Sequence, residues 1–337
     1  MKKIINNSEN VVDEMVDGIL KAHPQHLKPV KKSDRGIRGL VRTESPIKDK
    51  VAIATGGGSG HVPLFLGYVG EGLLDGVAIG EVFSSPSSQE MLEVTRAIAG
   101  GRGVLYLYGN YSGDVMNFDM ASDMAEEKGI DVKTCLARDD VASAPKGNEE
   151  DRRGIAGILY AYKLAGAKAE EGGALDDVKA VADKAIENTR SMGIALSPCT
   201  IPETGDPTFD LGDDEMEIGM GIHGERGINR TQLQPSDEIV DQMLERLLED
   251  LPFNSGDEVS VLVNGLGAIA PSELYIMYRR VDQFLEEKGI EIYNSYVGEY
   301  ATSMEMKGAS ISLMRLDEES KRLLEKPAYS PFLLKQV

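Results

Sequence analysis

The chain has 337 residues, against roughly 150 for an average domain, which predicts two domains or one large domain with insertions. It carries 36 Lys and Arg against 56 Asp and Glu, a formal charge of −20; so acidic a chain lacks the clustered cations needed to hold nucleic acid or an anionic membrane surface. Hydrophobic residues at 41% suffice for a sizeable core, while aromatics at 6% with no Trp argue against an aromatic-lined glycan or nucleic-acid groove.

The N-terminal MKKIINNSEN has no apolar h-region, and no run approaches the ~18 apolar residues of a membrane span. The expectation is a soluble cytoplasmic protein. Residues 8–20 put Val11, Val12, Met15, Val16, Ile19 and Leu20 on one helical face, with Ser8 as N-cap. The basic stretch HPQHLKPVKKSDRGIRGLVRTESP reads as a solvated connection, with His23 and His26 on the surface.

From residue 50 short apolar runs alternate with amphipathic ones. KVAIAT before GGGSGH, DGVAIG before EVFSSPS, VLYLYG before NYSGD, and DVKTCLA read as strands; SSQEMLEVTRAIAG, DVMNFDMASDMAEEKG and RRGIAGILYAYKLAGA read as helices. This order predicts an α/β domain with a largely parallel sheet, whose ligands sit at the carboxyl ends of strands. GGGSGH, FSSPSS and GNYSGD all fall at such ends.

ALDDVKAVADKAIENTRSMG predicts a long helix, with Thr189 still in its register. Beyond it the pattern changes. EMEIGMGI alternates, with Met216, Ile218, Met220 and Ile222 on one face, and EVSVLVNG, EIYNSYVG and ASISLMRL read as strands around one strong helix, PSELYIMYRRVDQFLEEKG. Alternation predicts a mixed or antiparallel sheet with one covered face. The expectation is two domains: an α/β domain over 1–190 with a mainly parallel sheet, and a mixed α+β domain over 191–337.

Four histidines are present, and two end glycine-flanked loops: His61 in GGGSGH and His223 in MGIHGERG. Histidines so placed are candidates for nucleophile or base. Metal ligation is the weaker reading, because no carboxylate or His pairs with either at helical spacing. The acidic run ETGDPTFDLGDDEMEIG lacks the ligand order of a calcium loop. GGGSGH is neither a nucleotide P-loop nor a dinucleotide fingerprint. Asp114 opens a helix, where spacing alone favours a capping role. Cys135 and Cys199 are too few for a disulfide framework and lie in apolar runs, which predicts buried thiols.

Taken together, GGGSGH, FSSPS, GNYSGDVMNF, GIHGE, LVNGLG and YATSMEMKGASISLMRL, in this order over nearly the whole chain, resemble the ketose-binding (DhaK-type) subunit of dihydroxyacetone kinases. The resemblance implies a two-domain α/β fold, a homodimer, and a kinase that takes dihydroxyacetone or erythrulose. It implies that His223 binds the ketose covalently as a hemiaminal, that His61 and Asp114 complete the catalytic set, and that Gly57, Gly58 and Ser85 line the pocket. In that scheme an imidazole nitrogen anchors the carbonyl carbon, and Asp114 takes the proton of the terminal hydroxyl as it attacks phosphorus. Phosphoryl transfer needs charge stabilisation besides. The resemblance assigns ATP or ADP and Mg²⁺ to a separate nucleotide-binding (DhaL-type) partner subunit, so no cofactor is expected on this chain. One position departs from the family: Gly109 stands where well-known members carry Lys, which predicts room for a four-carbon ketose. The rival reading is a non-catalytic ketose sensor that co-activates a transcription regulator.

Overall fold

The computed structural model describes residues 2–30 and 35–335. Helix α1 (Val11–Ala22) precedes a six-stranded sheet made of β1 (Leu27–Pro29), β2 (Gly39–Arg42), β3 (Ala52–Gly58), β4 (Gly76–Gly80), β5 (Val104–Gly109) and β6 (Val132–Ala137). The order is β1-β2-β4-β3-β5-β6. β3 to β6 form the parallel part, and β1 and β2 add an antiparallel edge. Parallel neighbours require crossovers. Helices α2 (Ser88–Ile98) and α3 (Ser112–Glu126) supply two of them, α2 fastened at its start by a Ser87–Glu90 capping box.

Helix α4 (Ile158–Glu170) is almost wholly buried, the pattern of a helix enclosed on every side. It lies between two sheets. Tyr162 meets Thr55 of β3, hydroxyl to hydroxyl, at 2.8 Å, while the Tyr160 ring faces Tyr296 of the second sheet. Helix α5 (Leu175–Glu187) packs beside it and leads directly into β7 (Thr189–Ser197).

The second sheet adds β8 (Glu215–Ile218), β9 (Asn229–Gln232), β10 (Glu258–Gly265), β11 (Glu291–Gly298) and β12 (Lys307–Arg315), in the order β11-β10-β12-β7-β8-β9. Only β10 and β11 run parallel. Helices α6 (Ser236–Asp250) and α7 (Pro271–Glu287) cover one face, packing Val240, Leu244, Val281 and Phe284 on Val259, Val261, Val263, Ile311 and Leu313. The opposite face, with Leu262 and Met314, joins the core around α4. The fold is thus α/β, with a mainly parallel first sheet and a mixed second one.

Several local expectations change. The basic stretch is not a bare connection: it holds β1 and β2, whose side chains are largely buried, although residues 31–34 lie outside the described residues. The cap ahead of α1 is Asn7, which accepts from the Glu9 N–H to open a short 3₁₀ turn, so Ser8 caps nothing. The helix predicted through TRSMG stops at Glu187, because Thr189 turns its hydroxyl back to Ala185 O at 2.7 Å and pairs with Met314 as the first residue of β7. The alternation in EMEIGMGI ends after four residues, and Glu217 is buried beside Arg230. β10 and β12 are buried on both faces rather than one, since α4 covers what α6 and α7 do not. His23 and His26 are half-buried, ringed by Phe332 and Tyr329.

Those last two aromatics belong to the chain's end. After α8 (Glu318–Leu324), the hairpin of β13 (Ala328–Tyr329) and β14 (Leu334–Lys335) returns to the first sheet's side, where the Tyr329 N–H donates to Glu71 O at 2.9 Å. We keep a division near residue 190 as a proposal: the two sheets part there, while this hairpin crosses it.

Lys163 on α4 is 2% exposed, and its ammonium donates to Leu323 O at 2.7 Å. Burial, helped by Lys335, pushes its pKa from 10.5 down to about 8. The unfolded chain keeps the proton up to the ordinary value, so the penalty on the folded state is full below pH 8 and shrinks as pH rises toward 10.5. Lys163→Met is expected to be more stable than wild type at pH 7 by about 1–3 kcal/mol. The gap should narrow at pH 10; urea midpoints of both proteins at the two pH values test this, and a constant gap would contradict it.

Candidate active site

The site forms where β3 runs out into glycine. A Cβ on Gly57 would run into the ring of Phe65, and one on Gly58 would lie 2.8 Å from the backbone of Phe83. Both glycines are therefore needed for close approach and not for an unusual φ. They let Phe65 and Phe83 press onto the turn Ser59–His61. Phe65 and Phe83 hold φ of 66° and 55°, and Met304, which donates its N–H to Gly60 O at 2.9 Å, holds 51°. Bulky residues avoid this region, and its cost is stored where surrounding structure enforces it.

The second half of the chain clamps this turn. Asn264, fully buried at the end of β10, accepts from the N–H groups of Tyr300 and Ala301 at 2.8 and 2.9 Å and donates to Ala301 O at 2.8 Å. The loop so fixed delivers Thr302, whose carbonyl accepts from His61 Nδ1 at 2.8 Å and whose hydroxyl donates to Val62 O at 2.9 Å. Ser303 donates its hydroxyl to Ile222 O and so tethers the segment that carries His223.

His61 and His223 meet with their Nε2 atoms 2.9 Å apart. His61 is 1% exposed, whereas the His223 side chain is 24% exposed and faces solvent on one side. Burial first, then the charge of His223, pushes the His61 pKa down to about 3. On its far side His223 Nδ1 lies 3.0 Å from Glu225 Oε1, and the His223 N–H donates to Glu225 Oε2 at 3.0 Å. Burial opposes ionisation of Glu225, but His223 and Arg153 outweigh it and hold its pKa at about 2. Arg153 in turn donates to the buried Asp140 at 2.8 Å.

Asp114 does not cap α3. Tyr111 holds the cap position, and Asp114 is the third residue of the helix. Its carboxyl is 8% exposed, and Oδ1 has no hydrogen-bond partner among the described residues. Burial raises its pKa to about 6, with the Ser85 hydroxyl and then His223 pulling the other way. Gly113 gives Ser85 its place, since a Cβ there would sit 2.9 Å from Ser85 Oγ.

Gly109 ends β5, but the volume beside it is occupied. A Cβ there would stand 3.1 Å from the Tyr111 ring, which meets His223 edge-on at 4.7 Å and donates its hydroxyl to Gly154 O at 3.1 Å. Loss of a Lys side chain at this position therefore leaves no empty room by itself. The structure brings His61 into contact with His223, and puts Asp114 within the electrostatic reach of Ser85 and His223, with Gly57, Gly58 and Gly109 behind the aromatic side chains. Glu225, Thr302, Phe83 and Tyr111 join them without having been singled out, although each lies inside a motif quoted above; Arg153 carried no such signal. Among the described residues no three His, Cys, Asp or Glu side chains are grouped to hold a metal ion. Cys135 and Cys199 are buried free thiols.

The unfolded chain gives up the Asp114 proton near 3.8, the folded one near 6, so the ionised carboxylate costs stability above pH 6 and the cost fades as pH falls toward 4. Asp114→Asn is expected to be more stable than wild type by about 1–3 kcal/mol at pH 8. The two should converge at pH 4, as measured by thermal or urea unfolding. Equal stability at pH 8 would contradict the burial of an ionised carboxylate.

Residues 17–332 match the family described as the Dak1 domain. The chain is 47% identical over 332 residues to the dihydroxyacetone-binding subunit DhaK of a PTS-dependent dihydroxyacetone kinase of Listeria innocua, covering 98% of this chain and 99% of that one. It is 40% identical over 335 residues to the L-erythrulose kinase of Pectobacterium atrosepticum, covering 98% of this chain and 56% of that one. The crystal structure of the C. freundii dihydroxyacetone kinase superposes with a TM-score of 0.91 at 32% identity; the match covers 100% of this chain and 61% of the kinase. The dihydroxyacetone kinase operon co-activator DhaQ superposes at 0.89 with 30% identity, over 96% of this chain and 99% of that one. The chain thus spans about 61% of the length of one solved relative and nearly all of the Listeria subunit. It belongs to the Dak1 domain family.

Proposed function

We propose that the chain is the ketose-binding subunit of a ketose kinase, which holds dihydroxyacetone or erythrulose covalently on His223 and presents a terminal hydroxyl to a nucleotide-binding partner subunit. The observation that carries this reading is the meeting of the two histidines, 162 residues apart in sequence, over a buried carboxyl with an unpartnered oxygen. His223 turns Nδ1 to Glu225, which leaves Nε2, in contact with His61, to add to a carbonyl carbon. The π electrons pass to the oxygen, which takes a proton, and the product is a hemiaminal with no water lost. Asp114, ionised above pH about 6, accepts the proton of the terminal hydroxyl as that oxygen attacks phosphorus. A covalent anchor of this kind selects carbonyl compounds over polyols.

The similarity to kinases of both three- and four-carbon ketoses supports the substrate class. ATP or ADP and Mg²⁺ belong in this reading to a DhaL-type partner, and the subunit works as a homodimer in the cytoplasm. No helix among the described residues is long and apolar enough to cross a membrane. The likeness to the operon co-activator favours a second reading, a ketose sensor. A sensor needs His223 but no base, so the carboxyl of Asp114 favours the kinase.

Three outcomes are expected. With dihydroxyacetone labelled at its carbonyl carbon, wild type converts the ¹³C signal from a ketone to a saturated carbon, and intact mass rises by the full mass of the sugar; His223→Ala shows neither. Persistence of both in that variant would exclude His223 as the anchor. The isolated chain transfers no phosphate from ATP until a nucleotide-binding partner is added. Asp114→Asn keeps the adduct but loses on the order of 10²–10⁴ in turnover with that partner. Unchanged turnover in that variant would exclude Asp114 as the base, whereas an adduct in wild type with no turnover beside the partner would favour the sensor.

A further inference from the structure

Tyr111 stands between two arms of the site. It opens α3, three positions ahead of Asp114, and its carbonyl accepts from the Val115 N–H at 2.9 Å. Its ring meets His223 at 4.7 Å with the planes at 89°, the geometry of a favourable edge-to-face pair. Its hydroxyl donates to Gly154 O at 3.1 Å, and burial keeps the phenol protonated. The neighbouring Asn110 amide donates to Glu150 O and Arg152 O at 2.9 and 2.8 Å. The loop between β5 and α3 is thus fastened to residues 150–154 by two successive side chains.

Gly109 makes this seat possible. A Cβ there would come within 3.1 and 3.2 Å of the Tyr111 ring and 3.4 Å of Gly154 O. Gly154 matches it, since a Cβ on that residue would lie 2.9 Å from the Gly109 Cα. Two bare backbones let the 150–154 segment come close enough for the phenol to reach it. A side chain at position 109 would push on a ring whose hydroxyl is held, and the contact with His223 would have to change.

That contact matters because of how His223 is held. Glu225 grips Nδ1, and His61 touches Nε2. Two such contacts leave the ring free to tilt about the line between its nitrogens, and the second is given up once Nε2 bonds the ketone. The plane is fixed by ring against ring, by Tyr111 and by Phe83 at 5.4 Å and 86°. Of these two, Tyr111 also begins the helix that carries Asp114.

Resting on the ketose-binding reading above, we infer that Tyr111 is a positioning residue that sets the plane of His223 against Asp114, and that Gly109 carries no side chain so that it can. The bond from Nε2 to the substrate lies in the ring plane, so the tilt decides where the terminal hydroxyl falls. Asp114 stays with α3. A tilted ring still forms the adduct but delivers the hydroxyl away from its base, and a misplacement of about 1 Å costs on the order of 10²-fold in rate.

The experiment compares wild type, Tyr111→Phe, Tyr111→Leu, Gly109→Ala and the double variant Gly109→Ala with Tyr111→Leu. The adduct is read with ¹³C-labelled dihydroxyacetone, and turnover with ATP and a DhaL-type subunit. Tyr111→Leu should keep the adduct close to wild type and lose on the order of 10²-fold in turnover. Tyr111→Phe, which keeps the ring, should retain most of the turnover. Gly109→Ala should lower turnover when Tyr111 is present and have no further effect beside Tyr111→Leu, the non-additivity of residues that act through one contact. Wild-type turnover in Tyr111→Leu, adduct and turnover falling in parallel, or losses that simply add in the double variant would overturn the inference. Failure of wild type to form any adduct would instead refute the ketose-binding reading. The coupling is then decided in ligand-free protein by the ring-current shift of the His223 Cε1 proton. Gly109→Ala should move that signal when Tyr111 is present and leave it in place beside Tyr111→Leu; a signal unmoved by Gly109→Ala alone would overturn the inference.

Discussion

Much of the molecule hangs on one buried amide. Asn264 satisfies three backbone groups of a single loop, and that loop carries the carbonyl that orients His61. A buried side chain with this many bonds has no cheap alternative, because each partner would be left unsatisfied in a dry environment. The second sheet thereby reaches across to the first and fixes the tautomer of a residue it does not contain. The glycine turn after β3 and the loop after β11 are then two halves of one device, and neither is organised for chemistry without the other.

The same junction collects the molecule's costs. Three bulky residues with positive φ surround the glycine turn, Asp114 is held ionised against its burial, and two imidazoles are pressed nitrogen to nitrogen. Each opposes folding, and each is tolerated because α4, enclosed by two sheets, anchors the extensive apolar core between them. The pattern is that of a scaffold with stability in surplus and a site that draws it down.

The alternation of short apolar runs and helices was enough to locate β3 to β6 and the helices between them, because parallel strands buried on both faces announce themselves as continuous hydrophobic stretches. The edge strands β1 and β2 were hidden in a basic segment, since strands of three and four residues have too little length to show a period. Helix α6 went unmarked although its apolar spacing is regular, and the end of α5 was overrun because Thr189 fits a helical register until β12 claims it. At the site, His61 and His223 stood out by their glycine neighbours. Asp114 did not: its local position suggested a cap, only the family resemblance gave it a role, and the structure adds the tertiary burial of its carboxyl. Glu225, two residues from His223, was legible as a motif letter but not as a partner, because a contact between ring and carboxylate depends on a turn that no spacing encodes.

The returning hairpin β13–β14 has a consequence for how the protein is made. Gly70 and Gly72 leave room for the backbone of Tyr329 and Pro327, so the first sheet's outer loop is shaped to receive this hairpin. A ribosome delivers residues 1–190 long before that turn exists, and the nascent first half must wait with this seat unfilled. His223 and Thr302 likewise emerge only after β3 has formed. The junction of the two histidines is therefore assembled late, once the strands of the second sheet have been made, and not while the first sheet is being laid down.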